Sequence, residues 1–272
     1  MRTPSPSLMS FSAGSRRPVL VALPGRKPLG GARLVRLRVR DRPGSLAQVT
    51  SHLAAHGVDV LRLEVLARES GFAIDDFLLR GSGLDDALES LGPIAGVLAE
   101  RRHADLVDPG LAMASACAAI TAAGSAREAY RQLVRSALEL VFAEAACVCV
   151  HEGFAFPRPV ATTVPDLPPF EDGPMSLLRS ALESGESLTA DGRTPWATER
   201  FRDCMPGGSV LAVPGGSAPF LVLVLVREDN ARFVSTEVDR LSALVRVAVG
   251  TLLLHDQNLA VVRGRPLEPV RV

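Results

Sequence analysis

The sequence predicts an α+β protein of two units: a βαββαβ segment, then a larger unit with helices flanking a central antiparallel sheet. Three observations carry this. Val35, Leu37 and Val39 alternate with Arg36, Arg38 and Arg40, and Leu61, Leu63 and Val65 with Arg62 and Glu64, the period of strands buried on one side. A short apolar helical pattern separates these two stretches. Beyond residue 108, apolar residues return at helical spacing around short continuous apolar runs, as expected of buried strands.

The chain has 272 residues, 47% hydrophobic and 22% charged, enough for two ordinary domains with their own cores. Formal net charge is zero and Lys27 is the sole lysine, so no electrostatic attraction to nucleic acid or to an anionic membrane is expected. Residues 1–31 mix Pro, Ser, Gly and Arg without a period and are expected to form a disordered tail. Their apolar run at 19–23 is too short for a secretory core, and no run reaches the 18 or so apolar residues of a membrane helix. A cytoplasmic location is the expectation.

In the first unit, the strand ending at Arg40 runs into Asp41-Arg42-Pro43-Gly44-Ser45-Leu46. Ser45 and Gln48 have capping-box spacing, and Leu46, Val49 and Leu53 share one helical face before Gly57 ends the helix. The arginine stripe at 36, 38 and 40 reads as a solvated or subunit-facing strand side. A hairpin follows, turning at Ser70-Gly71, with Asp75 and Asp76 on its second strand. Neighbouring strand residues face opposite ways, so the two carboxylates form no catalytic dyad, and a bulge or edge position is expected for them. Gly81-Ser82-Gly83, a helix uniting Leu84, Leu88 and Leu91, and a strand over 97–102 complete the unit.

This element order is the ferredoxin-like split unit, and with the turn at 41–46 it resembles the ACT domain over residues 32–105. The resemblance implies a regulatory module that commonly binds amino acids and pairs with a second copy. Backbone amides at the Pro43-Gly44-Ser45 turn and at Leu46 would donate to a ligand carboxylate, helped by the helix dipole, and Gly44 would permit close approach. Asp41 would meet a ligand ammonium. Asp59 would line the same cleft from a partner subunit, where amino-acid-binding members often carry Asn.

The second unit opens at Asp108, which can cap a helix whose first residue is Pro109. Ser125 and Glu128 make another capping box, before Leu133, Val134, Ala137, Leu138 and Val141 on one broad face. Residues 147–151 read as a strand, 164–174 as a Pro-rich loop, and 175–183 as a short helix stopped by Gly185. Strands over 209–213 and 220–227 flank Pro214-Gly215-Gly216, the second of them apolar on both faces and so central. A terminal helix over 235–255 carries Val238, Leu241, Val245, Ala248 and Leu252 as one stripe. Residues 108–260 resemble a GAF domain, a small-molecule sensor module, with 261–272 as a C-terminal tail.

Cys117, Cys147, Cys149 and Cys204 lack C-x-x-C spacing and read as reduced, mostly buried thiols, with no zinc site. His151, alone at a strand end, reads as a surface or satisfied residue rather than a metal ligand. Ser45 has no histidine at local spacing and no triad is present; nor is there a P-loop, a dinucleotide fingerprint, a kinase motif or a helix-turn-helix. The expectation is a non-enzymatic regulatory protein, without cofactor or metal. It would sense an amino acid or related metabolite through the ACT-like unit, as a homodimer acting on an unidentified protein partner. Two alternatives remain: a GAF-type thiol-dependent methionine sulfoxide reductase using Cys147, Cys149 or Cys204, and a structural dimerisation scaffold that binds nothing.

Overall fold

The computed structural model describes residues 19–20, 31–102, 109–141, 143–151, 158–164, 175–191, 209–216, 220–227 and 232–262. Strand β1 is Val19–Leu20. The first unit consists of β2 (Arg33–Arg40), α1 (Ser45–Ala55), β3 (Asp59–Glu69), β4 (Phe72–Arg80), α2 (Leu84–Glu89) and β5 (Ala95–Arg102), in the expected βαββαβ order. Its antiparallel sheet runs β3-β4-β2-β5. Val35, Leu37 and Val39 pack with Phe77, Leu53 and Leu84 beneath the two helices. Helix α1 ends as the sequence implies, Gly57 donating to Ala54 O and Val58 to Leu53 O, both at 3.0 Å, the paired bonds of a Schellman cap. Ser70 and Gly71 both take positive φ (51° and 78°), the primed turn that matches the twist of a hairpin.

The second unit has α3 (Pro109–Thr121), α4 (Ala126–Val141), β6 (Ala145–His151), β7 (Arg158–Thr162), α5 (Met175–Ser184), β8 (Leu188–Asp191), β9 (Ser209–Pro214), β10 (Phe220–Arg227) and α6 (Ser235–Val262). Its sheet order is β1-β7-β6-β10-β9-β8. Helices α3, α4 and α6 cover one face, Ile120, Leu133 and Leu244 packing in one core with Leu223 of β10, and α5 covers the other through Leu178 and Ala181. Ser125 Oγ accepts from the Glu128 amide at 3.2 Å, so the predicted cap of α4 forms. β10 lies between β6 and β9, buried from Leu221 to Arg227, as its apolar pattern requires.

Several expectations are corrected. Val19 and Leu20, placed in a disordered tail, pair in parallel with Ala161 and Thr162 at the sheet edge. β7 and β8 were not anticipated; they are short, and β7 contains Pro159, which suppresses a strand reading. Asp75 and Asp76 lie on β4, an inner strand and not an edge; the β3 register shift between Val65 and Ala67 falls opposite Asp75 and Ile74. Helix α6 continues beyond the expected boundary at 260. Asp108, most of the loop at 164–174 and Cys204 lie outside the described residues.

The largest correction concerns Arg36. It is buried, at 6% exposure, because the open face of the first sheet packs on the start of α6. Arg36 Nε and Nη2 donate to both oxygens of Asp76, its cross-strand neighbour, at 2.7 and 2.9 Å, and Nη2 also reaches Glu237 Oε1 at 2.8 Å. Glu237 is held from the other side by Arg227 Nη2 at 2.7 Å and accepts the Val234 amide at 3.0 Å, which caps α6. Leu66, Ala67 and Val234 form an apolar cluster alongside, Thr236 Oγ1 donates to Leu66 O, and Arg240 pairs with Glu64. The two units are thereby packed together at a paired set of charges.

Burial alone would raise the carboxyl of Glu237, but Arg227 and Arg36 together outweigh it and hold it below its ordinary value of 4.5. Its stabilising contribution is therefore complete above about pH 4.5 and is lost as pH falls through the lowered folded value. Glu237→Gln should cost about 3–5 kcal/mol in urea unfolding at pH 7, since two guanidiniums stay buried without their shared anion. The cost should shrink as the wild type is acidified.

Candidate functional site

The turn between β2 and α1 is built around Gly44, which takes φ 86° and ψ −11° and forms the N-cap of α1. A side chain at Gly44 would meet nothing within 4 Å, so the backbone there faces open space, while the left-handed φ disfavours any other residue. The Ser45 amide donates to Arg42 O at 3.2 Å and that of Gln48 to Gly44 O at 3.0 Å. Between them, the amides of Leu46 and Ala47 make no such bond among the described residues and are the open donors of the helix end.

Beside the turn runs a groove lined by Arg40, Arg42, Ser45, Gln48, His52 and Ile94, among others. Two arginines and a helix N-terminus make it electropositive, and no carboxylate belongs to its lining. Ser45 Oγ is buried without a hydrogen-bond partner. The side-chain cap expected of it does not form: Gly44 occupies the N-cap position in the left-handed conformation and leaves Ser45 as the first helical residue. His52 is oriented by donating from Nε2 to Ala87 O on α2 at 3.0 Å.

The structure brings together some of the predicted site residues. Pro43, Gly44, Ser45 and Leu46 form the turn, with Ser45 alone lining the groove. Asp41 stands next to them, 4.0 Å from Arg68 Nε and half exposed. Asp59 is at the opposite end of the sheet, beside Arg80, whereas the turn adjoins the end where Arg40 pairs with Phe72. The eight residue steps of β4 between those ends separate them by roughly 26 Å, so Asp59 can join the turn only from a second copy. Arg40, Arg42, Gln48 and His52 were missed. Arg42 and Gln48 were legible as members of the turn and first helical turn; His52 required knowing which face of α1 turns to the groove.

Asp75 is a second unusual carboxyl near this end. It opposes Leu37 on the helix-covered face, is 4% exposed, and its Oδ1 has no hydrogen-bond partner. Burial pushes it up to about 6; Arg68 opposes that shift, while Asp76 and Asp41 add to it.

In the second unit, Cys147 and Cys149 are fully buried on β6 with their Sγ atoms 3.7 Å apart. Burial pushes the Cys149 thiol well up, and the neighbouring Cys147 adds to this, so its thiolate is disfavoured. Cys117 packs against the large core. No group of three His, Cys, Asp or Glu among the described residues could hold a metal ion, and no described helix is long and apolar enough to cross a membrane.

The family model of the ACT domain matches residues 33–99, the unit that carries the turn. No curated protein matches the chain. Solved structures similar to it are GAF domains and relatives. That of a phosphoenolpyruvate-protein phosphotransferase from Coxiella burnetii is 17% identical, with a TM-score of 0.48 over 56% of this chain and 96% of its own. The GAF domain/HD domain protein from Geobacter sulfurreducens is 21% identical, with a TM-score of 0.42 over 52% and 98%. The free methionine-R-sulfoxide reductase from Neisseria meningitidis, solved with its substrate, is 15% identical, with a TM-score of 0.47 over 57% and 97%.

Because the folded carboxyl of Asp75 is raised above its ordinary 3.8, the native state binds its proton more tightly, so this residue costs stability as pH rises from about 4 to about 6. Asp75→Asn should remove that cost and raise stability at pH 7 by up to about 3 kcal/mol, with a much smaller gain, under about 1 kcal/mol, at pH 4. Chemical denaturation at the two pH values checks it.

Proposed function

We propose that this chain, which carries an ACT domain at residues 33–99, is a regulatory protein that senses an amino acid or a related small carboxylate at the turn between β2 and α1. The observation that carries the reading is the pair of open amides at Leu46 and Ala47 at the head of α1, next to the unobstructed backbone of Gly44 and to an electropositive groove that Arg40, Arg42 and Ser45 line. Such an arrangement stabilises a carboxylate through charge-assisted hydrogen bonds and the helix dipole. Ser45 Oγ, buried at the groove without a partner, gains one from the ligand. The ligand ammonium is met by Asp41 or, across a homodimer, by Asp59 of the second copy. Val60, Val65 and Val97, exposed on the edge strands β3 and β5, support such pairing.

The second unit serves in this reading as a sensor-like or dimerising partner rather than as a reductase. A thiol reductase needs an accessible thiolate. The burial of Cys147 and Cys149 supports a packing role for both, and their replacement by Ser tests the alternative through turnover of free methionine sulfoxide.

A thermal-shift screen against the twenty amino acids tests the proposal. A cognate ligand at one hundred times its dissociation constant should stabilise the native state by about 2.7 kcal/mol. Gly44→Val should abolish that shift, and Asp41→Ala should weaken it while leaving the ligand-free melting temperature nearly unchanged. Light scattering should give a mass near twice 28.8 kDa. An amino acid that stabilises wild type and both variants equally would move the site elsewhere, and a screen with no shift would favour the scaffold reading.

A further inference from the structure

Where the open face of the first sheet meets α3 and α4, the chain forms a partly open cavity of about 260 Å³. It is separate from the turn of Gly44: its walls come from β3 on one side and from the helices of the second unit on the other. Room for it is left by α3, which presents Ala112, Ala116 and Ala119 on successive turns; Leu66 and Leu140 complete an apolar floor.

The charges around this cavity can be accounted for one by one. Asp76 is taken up by Arg36, Glu237 by Arg36 and Arg227, and Glu64 by Arg240. Glu139 and Arg62 have partners of their own. Arg135 differs. Its Nε is buried without a hydrogen-bond partner, and its guanidinium makes no ion pair among the described residues. A buried guanidinium nitrogen without an acceptor is unfavourable, and α4 nevertheless sets this half-buried side chain in the cavity wall.

We propose that this cleft is a second ligand site, for a small monocarboxylate with a short branched apolar tail: the carboxylate on Arg135, the tail against the alanines of α3. One cation lacks an anion, which calls for a single negative charge, and a phosphate or dicarboxylate would set its extra charge among Glu64, Glu139, Asp76 and Glu237. Those carboxylates are already engaged, so none is left to receive an ammonium, and a free amino acid is disfavoured here. Because β3 and α4 line the same cavity, a bound acid touches both units and strengthens their packing.

Isothermal titration of the full chain tests this with isovalerate as the probe, its neutral amide as the control for shape, and isopentylamine as the control for charge. Wild type should bind isovalerate at one site per chain and the two controls at least about tenfold more weakly. Arg135→Gln should weaken isovalerate by about tenfold or more, and Ala116→Leu, which fills the floor but keeps the guanidinium, should do the same. Failure of wild type to bind isovalerate, equal binding of acid and amide, or undiminished binding by a folded Arg135→Gln protein would each overturn the proposal.

Discussion

Glu237 sits at 1% exposure between two arginines that come from different parts of the chain, and the arrangement of the whole molecule follows from satisfying it. Burying a carboxylate is costly unless strong donors surround it. Here Arg227 comes from the central strand of the second sheet, Arg36 from an inner strand of the first, and the Val234 amide from the head of α6. Arg36 is in turn shared with Asp76, and Arg227 donates to Val141 O at 2.6 Å and stacks on Phe233 at 4.2 Å. Removing any one member leaves another buried charge short of a partner. The sheet face that an isolated ACT-type unit would show to solvent thus has a fixed place against the second unit.

Both proposed ligand sites can be understood relative to this node. The turn at Gly44 begins where β2 ends, four residues beyond Arg36 on the same strand, and the cavity by Arg135 borders Asp76 and Glu237 directly. A ligand at either place acts on elements already tied together by paired charges. Coupling in a protein requires elements that both sites can bias. β2 and β4, linked along their length and anchored at Arg36 to α6, are such elements.

Much of the fold was legible because its determinants are local. The alternation of Val35, Leu37 and Val39, the Ser125 cap of α4, the turn at Ser70-Gly71 and the doubly buried β10 each need only a few consecutive residues to be recognised. What was not legible depends on distance. Arg36 reads as solvated when only its strand is considered, yet its partners lie 40 and 201 residues away. β7 and β8 are held by strands already in place rather than by their own patterns. At the candidate site, the turn was readable from Pro43 and Gly44, but Ser45 makes no cap because Gly44, in the left-handed conformation, holds the N-cap position. The cavity beside Arg135 is made wholly by the meeting of the two units and leaves no mark in sequence order.

The central claim is that Arg36 and Glu237 join the two units through a direct energetic interaction. A double-mutant cycle of Arg36→Met and Glu237→Met, read by urea unfolding of the full chain at pH 7, tests it most directly. The account predicts a coupling energy of about 2 kcal/mol or more, with each single change costlier than its share of the double. Additivity within about 0.5 kcal/mol would contradict it, showing that the two residues are buried independently and that the units are not joined through this pair.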